Sequence, residues 1–189
     1  TRANEGVHHE PYYVEFIENA DGERLFTHFD PGTEVRDRDA ALETIDIMKG
    51  SLSYGTGRRE APLADGRPAF GKTGTQQDNT NAWFVGGTRQ LSTAVWVGDP
   101  DAYTRMIGIE GFDFPKIQGG TYPARIWREF NEPAHTFLPI EERSLREHLP
   151  HSKSVRILFC SLSISHLREM LTSVENRLVA MNMLSSQVA

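Results

Sequence analysis

Residues 82 to 97 constrain this chain more than any other stretch. Ala82-Trp-Phe-Val85 is nearly all apolar, Leu91-Ser-Thr-Ala-Val-Trp-Val97 alternates in part, and Gly86-Gly87-Thr88-Arg89-Gln90 lies between them. Two short apolar runs around a Gly-rich turn read as adjacent strands. Phe70-Gly-Lys-Thr-Gly-Thr75 stands just upstream, so Lys72 to Thr75 are expected to end a third strand of an antiparallel meander. Gly98-Asp-Pro100 breaks the last strand.

The flanking segments supply helices and a hairpin. Pro11 to Glu18 and Glu23 to Phe29 are rich in aromatic and branched residues, and Asp21-Gly22 lies between them. Asp-Gly in that position signals a hairpin, because glycine accepts the positive φ of a tight turn. A helix is expected from about Asp37, with Leu42, Ile45, Met48 and Leu52 on one apolar face. Gly55 and Gly57 end it. Gly119-Gly-Thr-Tyr-Pro123 opens a second helix whose buried side is Ile126, Trp127 and Phe130. Beyond about residue 135 the composition shifts. Val155 to Leu167 is apolar and Ser-rich, and Ile164, Leu167, Leu171, Val174, Leu178 and Met181 follow helical spacing. The expected organisation is therefore one unit over 1–135 and an extension of unknown role over 136–189, partly helical.

Charge and cysteine use narrow the function classes. A formal net charge of −6 with no basic face argues against a nucleic-acid partner. The lone Cys160 cannot form an internal disulfide. No apolar run approaches the ~18–20 residues that cross a bilayer. The chain begins at Thr1, inside what reads as the end of a helix, so a fragment is expected, with any signal peptide or membrane anchor upstream.

Two chemistries compete for Gly66-Arg-Pro-Ala-Phe-Gly71-Lys72-Thr73. The letters fit the phosphate-loop pattern G-x-x-x-x-G-K-[ST]. That loop holds phosphate only between a strand and a helix N-terminus. Here Arg58 to Asp65 is no strand, and Gly74 to Asn81 is a turn leading into another strand. The rival reading is Lys-Thr-Gly, a signature of serine enzymes that handle β-lactams and D-alanyl peptides. On a strand, the Lys72 cation and the Thr73 and Thr75 hydroxyls could hold a substrate carboxylate in one cleft. Gly74 removes a side chain where a substrate backbone runs alongside. A backbone N–H just beyond it can serve an oxyanion hole.

The surroundings decide between them. Phe70-Gly-Lys-Thr-Gly-Thr-Gln-Gln-Asp-Asn79, Ala82-Trp-Phe-Val-Gly86 and Thr93-Ala-Val-Trp-Val-Gly98 resemble the transpeptidase domain of class A (bifunctional) penicillin-binding proteins. Ala3 to Tyr12, Tyr54-Gly-Thr-Gly57 and Gly119-Gly-Thr-Tyr-Pro-Ala-Arg-Ile-Trp127 agree, in the same order. The resemblance covers roughly 1–133. It implies an α+β fold, an antiparallel sheet flanked by helices, as part of the β-lactamase/transpeptidase-like fold. It also implies serine acyl transfer between peptidoglycan stem peptides ending in D-Ala-D-Ala, acylation by β-lactam antibiotics, no cofactor and no metal. The parent protein would be anchored at the extracytoplasmic face of a bacterial membrane. By the same resemblance Lys72, Thr73, Gly74 and Thr75 bind the terminal carboxylate, with Lys72 also counted as catalytic, and the Thr75 amide completes the oxyanion hole. A non-catalytic β-lactam-binding relative on the same fold is a further alternative.

The chain departs from that family in one respect. Three residues before Lys49, Lys72, Lys116 and Lys153 stand Asp46, Ala69, Asp113 and Pro150, so there is no Ser-x-x-Lys, and no asparagine has a serine two positions earlier. A carboxylate clamp without a nucleophile forms no covalent intermediate, so this chain alone is expected to be inactive. Other candidates are weaker. His8, His9 and His28 read as loop or surface residues rather than metal ligands, Asp99 and Asp101 as turn residues, and Trp83, Trp96 and Trp127 as core.

Overall fold

The computed structural model describes residues 4–140 and the strand Arg156–Ser163. The expected helix from Ile164 lies outside these residues. The chain divides into two compact units, Thr1–Ile45 and Asp46–Ala189.

The first unit holds two small antiparallel ladders. β1 (Val7–His8) pairs with β4 (Thr33–Glu34), and β2 (Phe16–Glu18) pairs with β3 (Arg24–Thr27). Gly22 has φ 80°, and the Asn19 carboxamide oxygen accepts the amides of Asp21 and Glu23. The hairpin is therefore where Asp21-Gly22 puts it. Its strands are shorter than the apolar runs, since a bulge interrupts pairing between Ile17 and Glu18 and a two-stranded ribbon has no second layer to support its length.

Helix α1 (Arg38–Ser53) runs across the boundary between the units. Asp37 caps it, its carboxylate accepting the Ala40 amide at 2.9 Å. Leu42, Ile45 and Leu52 are buried, as their spacing requires, and Met48 is half-buried. The Gly55 amide closes the C-terminus on the Gly50 carbonyl at 2.8 Å.

The second unit is built on a sheet with strand order β5-β6-β7-β8, comprising β5 (Phe70–Thr75), β6 (Asn81–Gly87), β7 (Leu91–Gly98) and β8 (Arg156–Ser163). The first three form the expected antiparallel meander. β8 pairs with β7 in parallel, a strand for which the sequence reading assigns no element. Parallel neighbours need a long crossover, commonly through a helix, and α2 (Tyr122–Ala134) lies in the connection from Gly98 to Arg156. This helix packs on one sheet face: the Trp127 ring lies 5.3 Å from that of Phe84, and Thr93 Oγ1 donates to the Asn131 side chain at 3.3 Å. Trp127, Phe84, Val95, Val97, Ala82, Tyr122, Met106 and Ile117 form the core. Burying rings of this size contributes roughly 4–5 kcal/mol of transfer free energy each.

Strand periodicity sorts the tryptophans. Phe84 faces α2, so Trp83 points to the other face, where it is 40% exposed. Trp96 is half-buried beside it and donates to Asn81 Oδ1 at 2.8 Å. Of the three expected core tryptophans only Trp127 is fully enclosed.

Candidate functional site

Three segments meet around the end of β5: the turn after α1, the strand itself, and the turn before α2. They enclose a cavity of about 400 Å³ whose lining includes Thr56, Thr73, Thr75, Lys116 and Thr121. All of it belongs to the second unit.

Two glycines hold the turns in place. A Cβ on Gly119 would lie 2.3 Å from the Trp83 carbonyl oxygen and within 2.8 Å of the Gly74 backbone. A Cβ on Gly120 would lie 2.3 Å from the Thr56 carbonyl oxygen. Only glycines let this turn lie directly on the strand and on the α1 turn. Once there, the Gly119 amide donates to Thr75 Oγ1 at 3.0 Å, and the Thr121 hydroxyl exchanges hydrogen bonds with Gln118 at 2.8 and 2.9 Å. Across the cleft Thr56 Oγ1 and Thr73 Oγ1 share a hydrogen bond of 2.8 Å.

These bonds leave protons to give. Thr75 accepts from Gly119 and keeps its own O–H available. In the Thr56–Thr73 pair one hydroxyl proton is used and one is left over. A hydroxyl carries one donor and two acceptor sites, so an anion in this cleft meets two unspent donors.

The ladder also fixes where the backbone points. The Gln76 amide donates to the Asn81 carbonyl at 2.9 Å, in register with the β5–β6 pairing. Antiparallel ladders alternate, so the amides of Gly74 and Lys72 turn toward β6, whereas those of Thr73 and Thr75 project from the open edge of β5. Among the described residues nothing pairs with that edge.

Lys72 is on the opposite face from Thr73 and Thr75. It is exposed, is absent from the cavity lining, and its Nζ donates to the Thr73 carbonyl at 2.7 Å along the strand edge. Consecutive strand residues cannot share a face, so cation and hydroxyls do not converge in one cleft here. Thr56, Arg59, Lys116 and Thr121 line the cavity without having been singled out as site residues. Their signal was present: Thr56 and Thr121 each sit beside glycine in the segments Tyr54–Gly57 and Gly119–Trp127.

The cavity wall carries a compact ion cluster. Arg125 pairs with Glu60 at 2.9 Å and with Asp113 at 2.8 Å, and its guanidinium packs 5.0 Å from the Phe114 ring. The hydrogen bond to Glu60 and then that to Asp113 hold the guanidinium pKa above its ordinary value. Burial raises the Tyr122 phenol behind it.

No group of three metal-ligating side chains occurs among the described residues. His8 lies 3.4 Å from Glu10, His9 lies 3.3 Å from Asp30, and His28 stacks on Tyr12. Lys72 and Thr73 sit inside a strand followed by the short 3₁₀ turn Gln77–Asn79, not in a loop capped by a helix. The phosphate-loop reading fails on that geometry. Among the described residues no helix is long and apolar enough to cross a membrane.

No protein-family model matches the chain. Penicillin-binding protein 1A of Mycolicibacterium smegmatis is 37% identical over 135 residues, covering 68% of this chain and 16% of that protein. Penicillin-binding protein 1A of Mycobacterium tuberculosis is 33% identical over 136 residues, with the same shares. The chain thus spans about one-sixth of these relatives' length. The solved structure of the penicillin-binding protein PonA1 from Mycobacterium tuberculosis superposes with a TM-score of 0.63 at 28% identity, over 82% of this chain and 42% of that one.

Proposed function

Because this chain belongs to the class A penicillin-binding proteins, we propose that its cleft binds the C-terminal carboxylate of a D-alanyl-D-alanine peptide, or the carboxylate of penicillin. The observation that carries this is the joint presence on one cavity of the Thr73 and Thr75 hydroxyls, with the Thr75 amide projecting from the open strand edge. Thr73 and Thr75 donate to the carboxylate. Gly74 lets the peptide backbone lie along β5. The Thr75 N–H stabilises the oxyanion of a tetrahedral intermediate. Lys72 acts from the strand edge, where it adds positive potential and fixes the Thr73 carbonyl.

In the whole protein this clamp serves D,D-transpeptidation. A serine hydroxyl attacks the carbonyl of the penultimate D-alanine, the terminal D-alanine leaves, and an amine from a second stem peptide takes the acyl group. β-Lactams acylate the same serine. The sequence of this chain holds no Ser-x-x-Lys to supply that nucleophile, so alone it binds and does not react. The working site is the extracytoplasmic face of a bacterial membrane, where peptidoglycan is assembled.

The test has two arms. Incubation with a fluorescent penicillin should leave no covalent adduct after denaturation; a stoichiometric band would overturn the claim that the chain lacks a nucleophile. Titration of ¹⁵N-labelled chain with N-acetyl-D-alanyl-D-alanine should move the amide signals of Thr73 and Thr75 first. Shifts confined to the first unit would overturn the clamp.

A further inference from the structure

We propose that Asn79 is a positioning residue for the carboxylate clamp. From the turn after β5 it holds the Ile117–Gln118 peptide group, and through it the Gly119 amide that orients the Thr75 hydroxyl. This rests on the carboxylate reading of Thr73 and Thr75 and adds the residue on which their geometry depends.

The turn between β5 and β6 has an unusual backbone. Asp78 has φ 57° and Asn79 φ 55°, so two consecutive non-glycine residues occupy the left-handed region, which a Cβ disfavours. Such a conformation persists where the surrounding contacts over-determine it. Asp78 supplies little, since its exposed carboxylate meets an equally exposed Arg105 at 3.4 Å. Asn79 supplies the rest. It is buried, its carbonyl accepts the Met106 amide at 3.0 Å, and its Nδ2 donates to the Ile117 carbonyl at 3.1 Å. The Ile117 amide closes the set on the Met106 carbonyl at 2.9 Å. The left-handed backbone thus turns the carbonyl and carboxamide of Asn79 onto the segment that leads into the cavity wall.

The path from Asn79 to the clamp is short and stiff. The Ile117 carbonyl and the Gln118 amide belong to one planar peptide group, so neither turns without the other. Asn79 holds the carbonyl end, and Thr121 Oγ1 accepts from the amide end at 2.9 Å. Gln118 and Thr121 both line the cavity. Gly119, next in the chain, donates to Thr75 Oγ1 at 3.0 Å. Thr75 is exposed, so that bond selects among its rotamers and leaves its own proton for the cleft. Without the Asn79 donor the Ile117 carbonyl is an unpaired acceptor in a buried place, and it recovers a partner only by rotating toward water. That rotation takes the Gln118 amide off Thr121 and shifts Gly119 against Thr75. Met106 and Ile117 belong to the core, so the segment stays packed while its peptide changes direction. The expected effect is a clamp out of line in a chain that still folds.

Asn79→Gly tests this on the full chain, since glycine suits the left-handed turn and removes only the side chain. Hydrogen exchange on ¹⁵N-labelled chain should show the Gly119 amide exchanging about tenfold faster, the scale of one lost buried hydrogen bond. Val95 and Val97, at the centre of the sheet, should change far less. Asn79→Asp also tolerates the turn but sets an acceptor against the Ile117 carbonyl, and it should act in the same direction. Asp78→Gly relaxes the turn without touching Ile117 and should leave Gly119 as it was. The binding readout is the preference for N-acetyl-D-alanyl-D-alanine over its C-terminal amide. Both Asn79 variants should lose about fivefold of it, as for one weakened hydrogen bond to a charged group. Unchanged protection at Gly119 in Asn79→Gly would overturn the proposal. So would exchange accelerated equally across the sheet, which marks a structural loss alone, or an acid preference left intact while Gly119 opens. If the unmodified chain does not prefer the acid, the clamp itself falls and the role of Asn79 in it falls too.

Discussion

At the scale of single residues the site depends on what glycine permits. Gly119 lies so close to β5 and β6 that an added methyl would meet backbone oxygen and nitrogen atoms, none of which can swing aside. Gly119→Ala is therefore expected to lower stability by about 1–3 kcal/mol, the usual cost of overpacking, seen as a lower urea midpoint with unchanged slope. Thr75→Val makes a different error. It keeps the volume and removes the acceptor of the buried Gly119 amide, which should cost about 1–3 kcal/mol and also abolish carboxylate-induced shifts at residue 75. Thr75→Ser should restore both, which separates loss of the hydroxyl from loss of shape. Lys-Thr-Gly-Thr was legible as a candidate site because the residue types suit an anion and the flanks suit a strand. The face of the strand that each side chain takes is a separate matter. The two-residue period of the strand puts Lys72 and Thr73 on opposite faces, and Thr73 lines the cavity where Lys72 does not; that period was available from the sequence.

At the scale of elements, the α2–sheet contact carries the second unit. Trp127 and Phe84 are both 0% exposed and pack ring against ring. Trp127→Ala should cost about 3–5 kcal/mol, whereas Trp83→Ala, on the exposed face, should cost well under half as much by the same denaturation measurement. The meander, α1 and α2 were legible because each is specified locally: a Gly-rich turn between apolar runs, an Asp cap before a three-four stripe, a proline in the first helical turn. β8 was not. Its place is a parallel pairing with β7 across nearly sixty residues of chain, and no local periodicity encodes a partner that distant. The cavity was legible only in pieces. Tyr54-Gly-Thr-Gly57 and Gly119-Gly-Thr-Tyr122 stood out as segments, but that Gly120 lies against the Thr56 carbonyl is a fact of tertiary packing.

At the scale of the whole molecule, pH should reveal a node that joins three distant parts of the second unit. His135 is 2% exposed at the end of α2. Its Nδ1 lies 2.6 Å from the Asn131 carbonyl, which can only accept, so Nδ1 carries the proton. Nε2 then accepts from the Thr88 hydroxyl at 2.8 Å, and that oxygen already receives the amides of Gln90 and Leu91. The His135 carbonyl in turn receives Arg67, which Asp65 holds at 2.7 Å. Protonating Nε2 would set a donor against a Thr88 oxygen already occupied, inside a site closed to water. Burial first, and the Arg67 charge as well, depress the imidazole below its ordinary 6.5. The unfolded chain therefore takes up a proton that the folded chain refuses. Stability should be level above about pH 7, fall as pH drops below 6.5, and stop falling from this cause once the depressed folded value is passed. A second loss should follow at lower pH. Burial would raise the Asp65 carboxyl, but the side-chain and backbone hydrogen bonds from Arg67 outweigh it and hold the group below its ordinary 3.8. The stability this gives is present above 3.8 and lost as pH falls through the folded value. Urea midpoints measured from pH 8 to 3 should show both arms. In His135→Gln the upper arm should vanish while the lower one stays. An upper arm of unchanged depth in that variant would assign it to another histidine.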